Sequence, residues 1–229
     1  MKARDVMVTR VISVDPDADV GTIAETLVRN GISAVPVIDR HGKLLGIVSE
    51  GDLIRRTETG TERRRSWWLE MFQTRDALAS DYVKSHALKA SDVMTAPAIT
   101  AGPDTPLREI ADLLERHGIK RVPIVRKGAV VGMVSRANLV QALATHGVGW
   151  HGMAREDDAI REALSERLRA EPWAGGTVNV TVQDGVVDLW GFVGSEAERQ
   201  AFRVAAEVTP GVRAVNDKLR ILKAAMSAT

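Results

Sequence analysis

The 229-residue chain contains no cysteine, which removes disulfides, zinc–thiolate sites, iron–sulfur clusters and cysteine nucleophiles together. Aromatic residues make up only 4% of it and sit in a few places. No stretch approaches the roughly 18 uncharged apolar residues of a membrane helix, and the opening Met1-Lys2-Ala3-Arg4-Asp5 lacks the apolar segment of an export signal. A cytoplasmic protein is the expectation. Net charge is also missing, at +1, so any contact with nucleic acid or anionic lipid needs a local patch. Gly-x-Ser-x-Gly, Walker and His-Glu-x-x-His motifs are absent, as are paired carboxylates in a catalytic context. No catalytic residue is assigned, and a non-enzyme is expected. His146 and His151 stand in a glycine-rich stretch without acidic or cysteine partners, so they read as linker residues, and no metal is required.

What is present is an ordinary globular composition, 45% apolar and 27% charged, with length enough for two cores. The first two thirds repeat themselves. Asp5-Val6-Met7 returns as Asp92-Val93-Met94, and Gly31-Ile32-Ser33-Ala34-Val35-Pro36-Val37 returns as Gly118-Ile119-Lys120-Arg121-Val122-Pro123-Ile124, both 87 positions later (92 − 5; 118 − 31). Gly46-Ile47-Val48-Ser49-Glu50-Gly51-Asp52-Leu53 matches Gly132-Met133-Val134-Ser135-Arg136-Ala137-Asn138-Leu139 at an offset of 86 (132 − 46).

Each copy reads as a short α/β unit. A β-branched run (Val11 to Val14; Ile99-Thr100) leads through turn residues into a helix whose apolar positions, Val20, Ile23, Ala24, Leu27 and Leu107, Ile110, Ala111, Leu114, recur three and four apart. Gly31 and Gly118 end those helices. Strands over 34–38 and 44–49 follow in the first copy, then a helix opening at Ser49. Helix, Gly-h-x-x-h-Pro-h, Gly-h-h-Ser-x-x-Asp, helix, twice over, resembles a CBS-domain pair, or Bateman module, across about residues 1–145. The resemblance implies a pseudo-two-fold pair whose inter-repeat cleft holds an adenosine ligand: AMP, ADP or ATP, with S-adenosylmethionine and NAD(H) as further candidates. It also implies a homodimer of CBS modules and a regulatory role.

Independently of family, a carboxylate in the first turn of a helix can accept hydrogen bonds from both ribose hydroxyls, which makes Asp52 the candidate ribose ligand. The Ser49 hydroxyl and the free N–H groups at the helix start can approach phosphate. Ser-x-x-Asp is equally a capping box, and one residue can do both. In the second copy Ser135 persists but Asn138 replaces the acid, offering one acceptor oxygen in place of a carboxylate. Lys120 and Arg121 stand there in place of Ser33 and Ala34, and such cations suit a phosphate, with a solvated basic turn as the alternative. Ile12, Val14, Val35, Pro36, Val37 and Ile47 are candidates for the adenine slot, and also for plain core.

The expected organisation is α/β (α+β): CBS repeats over 1–56 and 91–145, an insertion over 57–90, a linker over 146–155, a small domain over 156–222 and a tail over 223–229. The insertion carries Arg63-Arg64-Arg65-Ser66-Trp67-Trp68, where an amphipathic helix is expected as a cap or subunit interface through Trp67 and Trp68. Membrane or nucleic-acid contact is the weaker reading. The small domain reads as αββαβ, with an Asp184-Gly185 hairpin turn and a capping box at Ser195-Glu196-Ala197-Glu198. With Gly-Val-Val-x-Leu-x-Gly and Pro-Gly-Val-x-x-Val it resembles a BON domain, a family implying a binding module often found at membranes. The valines 178, 180, 182 and 187 with Leu189 should share the helix-covered face. Val186, Trp190 and Phe192 lie on the other, an expected docking surface for a partner protein or for the chain's own CBS module.

Overall fold

A computed structural model describes residues 1–54, 86–146, 155–175 and 177–222. The first copy forms α1 (Ala3–Val6), α2 (Val20–Asn30), β1 (Ala34–Ile38), β2 (Leu44–Ser49) and α3 (Glu50–Leu53). The second forms α4 (Ala90–Val93), α5 (Leu107–Arg116), β3 (Arg121–Arg126), β4 (Ala129–Ser135) and α6 (Arg136–His146). Each copy pairs its two strands antiparallel, bringing Val35 opposite Val48 and Val122 opposite Val134, all four fully buried. Gly31 and Gly118 leave the α2 and α5 helices with φ of 59° and 62°. The β-branched runs before the helices do not become strands. Each is reduced to one parallel bridge, Val14 with Val37 and Ala101 with Ile124, because the prolines at 16 and 103 and their turns carry the chain away after a single residue.

The chain divides into two compact units, one of residues 12–28 and 32–98, the other of 1–11, 29–31 and 99 onward. The division does not follow the repeat boundary. Ala90 and Val93 of α4 are fully buried in one unit with Ile23, Val35, Val37 and Val48 of the first copy. Ala3 and Val6 of α1 are buried in the other with Ile110, Val122, Ile124 and Val134 of the second copy. Each opening helix therefore completes the core of the opposite copy, and each buried valine or isoleucine there contributes about 1.5–3 kcal/mol. The methionine that ends each Asp-Val-Met explains a glycine of the motif. A Cβ on Gly132 would lie 2.5 Å from Met7 Sδ, and one on Gly46 would lie 2.6 Å from Met94 Sδ and 2.9 Å from the Thr95 carbonyl.

Residues from 155 form α7 (Arg155–Ala170), β5 (Thr177–Gln183), β6 (Val186–Val193), α8 (Glu196–Glu207) and β7 (Ala214–Ile221). Strand β6 is central, antiparallel to β5 and parallel to β7. The valine-rich face is the covered one: Val182, Val187 and Leu189 are fully buried against Leu164 of α7 and Phe202, Ala205 and Ala206 of α8. At the hairpin, Asp184 and Gly185 both take positive φ, 50° and 74°, as the two-residue turn requires. The Asp157 carboxylate accepts both of their N–H groups at 2.8 Å. Ser195 caps α8 by accepting from Glu198 N–H at 3.1 Å, while Glu198 reaches back to Gly194 N–H at 2.8 Å, one residue before the cap.

Gly191, the last glycine of the hairpin motif, has φ of 127°, and a Cβ there would lie 1.9 Å from the Thr177 carbonyl oxygen. Gly191→Ala is expected to destabilise this domain by about 3 kcal/mol through overpacking and a forbidden dihedral. Urea unfolding followed by Trp fluorescence measures it, and an unchanged midpoint would contradict the close approach.

Candidate functional site

The Ser-x-x-Asp motif sits where β2 turns into α3. Asp52 Oδ2 accepts from the Ser49 backbone N–H at 2.9 Å and from its hydroxyl at 2.7 Å, closing the capping box. The capping reading thus holds for this side chain. Its second oxygen, Oδ1, accepts from the Thr95 hydroxyl at 3.2 Å. Thr95 is held there by paired backbone hydrogen bonds with Ile47, at 2.9 and 3.1 Å. The carboxylate is half-buried and already set in a hydroxyl-donor environment, the chemistry a ribose diol would reproduce.

The equivalent junction between β4 and α6 is built differently. Asn138 is 5% exposed, and its Oδ1 accepts from Ser135 N–H at 2.7 Å and Ser135 Oγ at 2.8 Å. Its Nδ2 donates to Gln141 Oε1 at 3.2 Å. The residue matching Thr95 in the repeat is Val8, which bridges Met133 through its backbone but offers no hydroxyl. Both polar members of the Asp52–Thr95 pair are therefore replaced at the second junction. Arg121 is half-buried and stands opposite Ser135 in the β3–β4 register, and Lys120 is exposed just before it.

Of the candidate adenine-slot residues, Val14, Val35 and Val37 are 9%, 0% and 0% exposed and belong to the core closed by α2 and α4, and Pro36 is buried as well. Pro36 and Ile47 are cross-strand partners on the other face of the hairpin, and Ile12 is half-buried. Trp67 and Trp68 lie outside the described residues. Thr95 escaped the sequence reading, although its place directly after the repeated Asp-Val-Met was a signal.

The sheet face bearing Trp190 and Phe192 is not bare. Asn179 Nδ2 donates to Gln141 Oε1 at 3.0 Å, and the hydroxyls of Thr181 and Thr145 pair at 3.2 Å, so α6 of the second copy lies against β5. Asn179 and Thr181 are buried, at 2% and 0% exposure. Trp190 is half-buried under Lys218, whose Nζ stands 4.1 Å from the ring centroid and pairs with Asp188. Contact on this face thus runs through polar residues that the sequence reading passed over. Among the described residues no helix is long and apolar enough to cross a membrane.

The CBS domain family matches residues 3–58 and 90–145, and the BON domain family matches 156–223. The chain belongs to the CBS-domain family, with a BON domain after the pair. It is 30% identical over 154 residues to the Methanocaldococcus jannaschii protein MJ1426, covering 62% of this chain and 91% of that one. It is 29% identical to the A-adding tRNA nucleotidyltransferase of Aquifex aeolicus over 62% of this chain but only 14% of the enzyme. Among solved structures it resembles Arabidopsis thaliana CBSX2 in complex with AMP, with 26% identity, a TM-score of 0.55, and coverage of 64% of this chain and 98% of that one.

Gln141 accepts from both the CBS cap residue Asn138 and the BON residue Asn179. Gln141→Leu leaves two buried carboxamide donors without an acceptor, and a loss of about 1–3 kcal/mol in urea unfolding is expected. Gln141→Glu, which keeps the acceptor, should recover most of it. Equal losses for the two variants would contradict the shared hydrogen bond.

Proposed function

We propose that the CBS pair senses an adenine nucleotide, AMP, ADP, ATP or a related adenosyl ligand, and that the protein regulates rather than catalyses. The carrying observation is the Asp52 carboxylate, half-buried and hydrogen-bonded through Oδ1 to the Thr95 hydroxyl. Ribose hydroxyls would take the place of that donor, Ser49 and the α3 N-terminal amides would lie beside them, and Arg121 would serve the phosphate. The likeness to CBSX2, solved with AMP, supports the ligand class. The signal would leave through α6, which starts at the Ser135–Asn138 cap and ends its path on Asn179 and Thr181 of the BON sheet.

Calorimetric titration with AMP, ADP, ATP, S-adenosylmethionine and NADH tests this reading. Asp52→Ala should weaken the binding of the preferred ligand by roughly 1.5–3 kcal/mol, the range of a charge-assisted hydrogen bond. Arg121→Ala should weaken AMP or ATP binding far more than adenosine binding. No saturable binding of any of these ligands at millimolar concentration would end the sensor reading.

A second reading, a ligand-independent dimerisation scaffold, draws on Val140 and Leu143 of α6, which are 65% and 59% exposed. Such an apolar pair is suited to a self-complementary contact. Light scattering at micromolar protein should report twice the 24.8 kDa chain mass, and Val140→Glu with Leu143→Glu should return it to the monomer. A monomeric wild type would remove the scaffold.

A further inference from the structure

Helix α7 carries two adjacent stripes. Ile160, Leu164 and Leu168 face the BON core, while Arg161, Ser165 and Arg169, also four residues apart, line an open groove beside it. The segment after α1 contributes Thr9 and Arg10 to the lining, and the half-buried Leu168, Val178 and Val180 supply its apolar part. All the charged residues lining this groove are arginines.

Arg161 is the unusual member. It is 8% exposed, yet its Nε has no hydrogen-bond partner among the described residues. Burial lowers its pKa from the ordinary guanidinium value, and the nearby charges of Asp5 and Asp158 oppose that shift. An orphaned donor on a buried cation is costly unless a ligand or ordered water completes it. Arg10 is held in place by donating to the carbonyls of Ala174 and Glu171. Arg169 is exposed and lines the same groove.

We propose that this groove binds a small soluble phosphate ester with an apolar body, its phosphate held by Arg161, Arg169 and Arg10 and its body lying towards Leu168, Val178 and Val180. Three guanidiniums and two hydroxyls present more donors than a carboxylate can accept, and phosphate has the oxygens to match them. Arg161, at 8% exposure, lies below the surface, where a small phosphate ester reaches it and a flat lipid surface does not. This site is independent of the nucleotide reading, since none of its residues belongs to the Ser49–Asp52 motif.

Titration of the full chain with phenyl phosphate, inorganic phosphate and phenol tests it. Phenyl phosphate should bind about tenfold tighter than inorganic phosphate, with phenol giving no saturable signal. Arg161→Gln and Arg169→Gln should each weaken phenyl phosphate about fivefold or more, and Asp52→Ala should leave it unchanged. Should Arg161→Gln fail to melt cooperatively, Arg169→Gln, on an exposed side chain, decides alone. Undetectable phenyl phosphate binding at about 10 mM, an unaltered affinity in Arg169→Gln, or loss of binding in Asp52→Ala would each overturn the site. Sedimentation with phosphatidylglycerol vesicles that depends on Arg169, without binding of the soluble ester, would assign the arginines to lipid and overturn it as well.

Discussion

The strand-to-helix junction with its serine cap is the constraint on which the rest of the molecule depends. At both junctions a side-chain oxygen of the residue three positions after Ser49 or Ser135 accepts from the serine N–H and hydroxyl. That closure orients the helix leaving the hairpin and satisfies a donor the helix start would otherwise strand. It also decides chemistry. A carboxylate can cap with one oxygen and still present the other, as Asp52 does to Thr95. A carboxamide has only one acceptor oxygen, so Asn138 caps with it and turns its amide towards Gln141.

The two junctions have therefore diverged in role while retaining one backbone. The first keeps an acid and a hydroxyl in a half-buried setting. The second is buried and continues through Gln141 into the BON sheet, where Asn179 shares the same acceptor. Buried polar networks of this kind hold one arrangement firmly because every lost partner strands a desolvated group. Two orphans remain beside the network, Asn179 Oδ1 and Trp190 Nε1. Both lie on the BON sheet face that meets α6.

The cores of the two units rest on helices of only four residues, α1 and α4. Such helices have no independent stability. They persist because Ala3, Val6, Ala90 and Val93 are fully buried and because Met7 and Met94 occupy space that Gly132 and Gly46 leave open. The repeated Asp-Val-Met and the repeated glycine are thus two halves of one contact, drawn from different copies of the repeat.

Much of this was legible in the chain alone, because it is written in local periodicity and turn chemistry. The helix faces of α2 and α5, the hairpin pairing of Val182 with Val187 and Val180 with Leu189, the Asp184-Gly185 turn and the Ser195 cap all follow from neighbours a few residues apart. The doubled motif also marked Ser49 and Asp52 without any structure. Tertiary packing alone decided that α1 and α4 complete the opposite copy's core, that Val14, Val35 and Val37 are buried in the core α4 closes, and that Thr95 donates to Asp52. It alone set α6 against Asn179 and Thr181, and Arg161 beside Arg10. Each of these joins residues far apart in sequence, where no periodicity records the meeting, and their partners are chosen by burial and by the hydrogen bonds that burial makes obligatory.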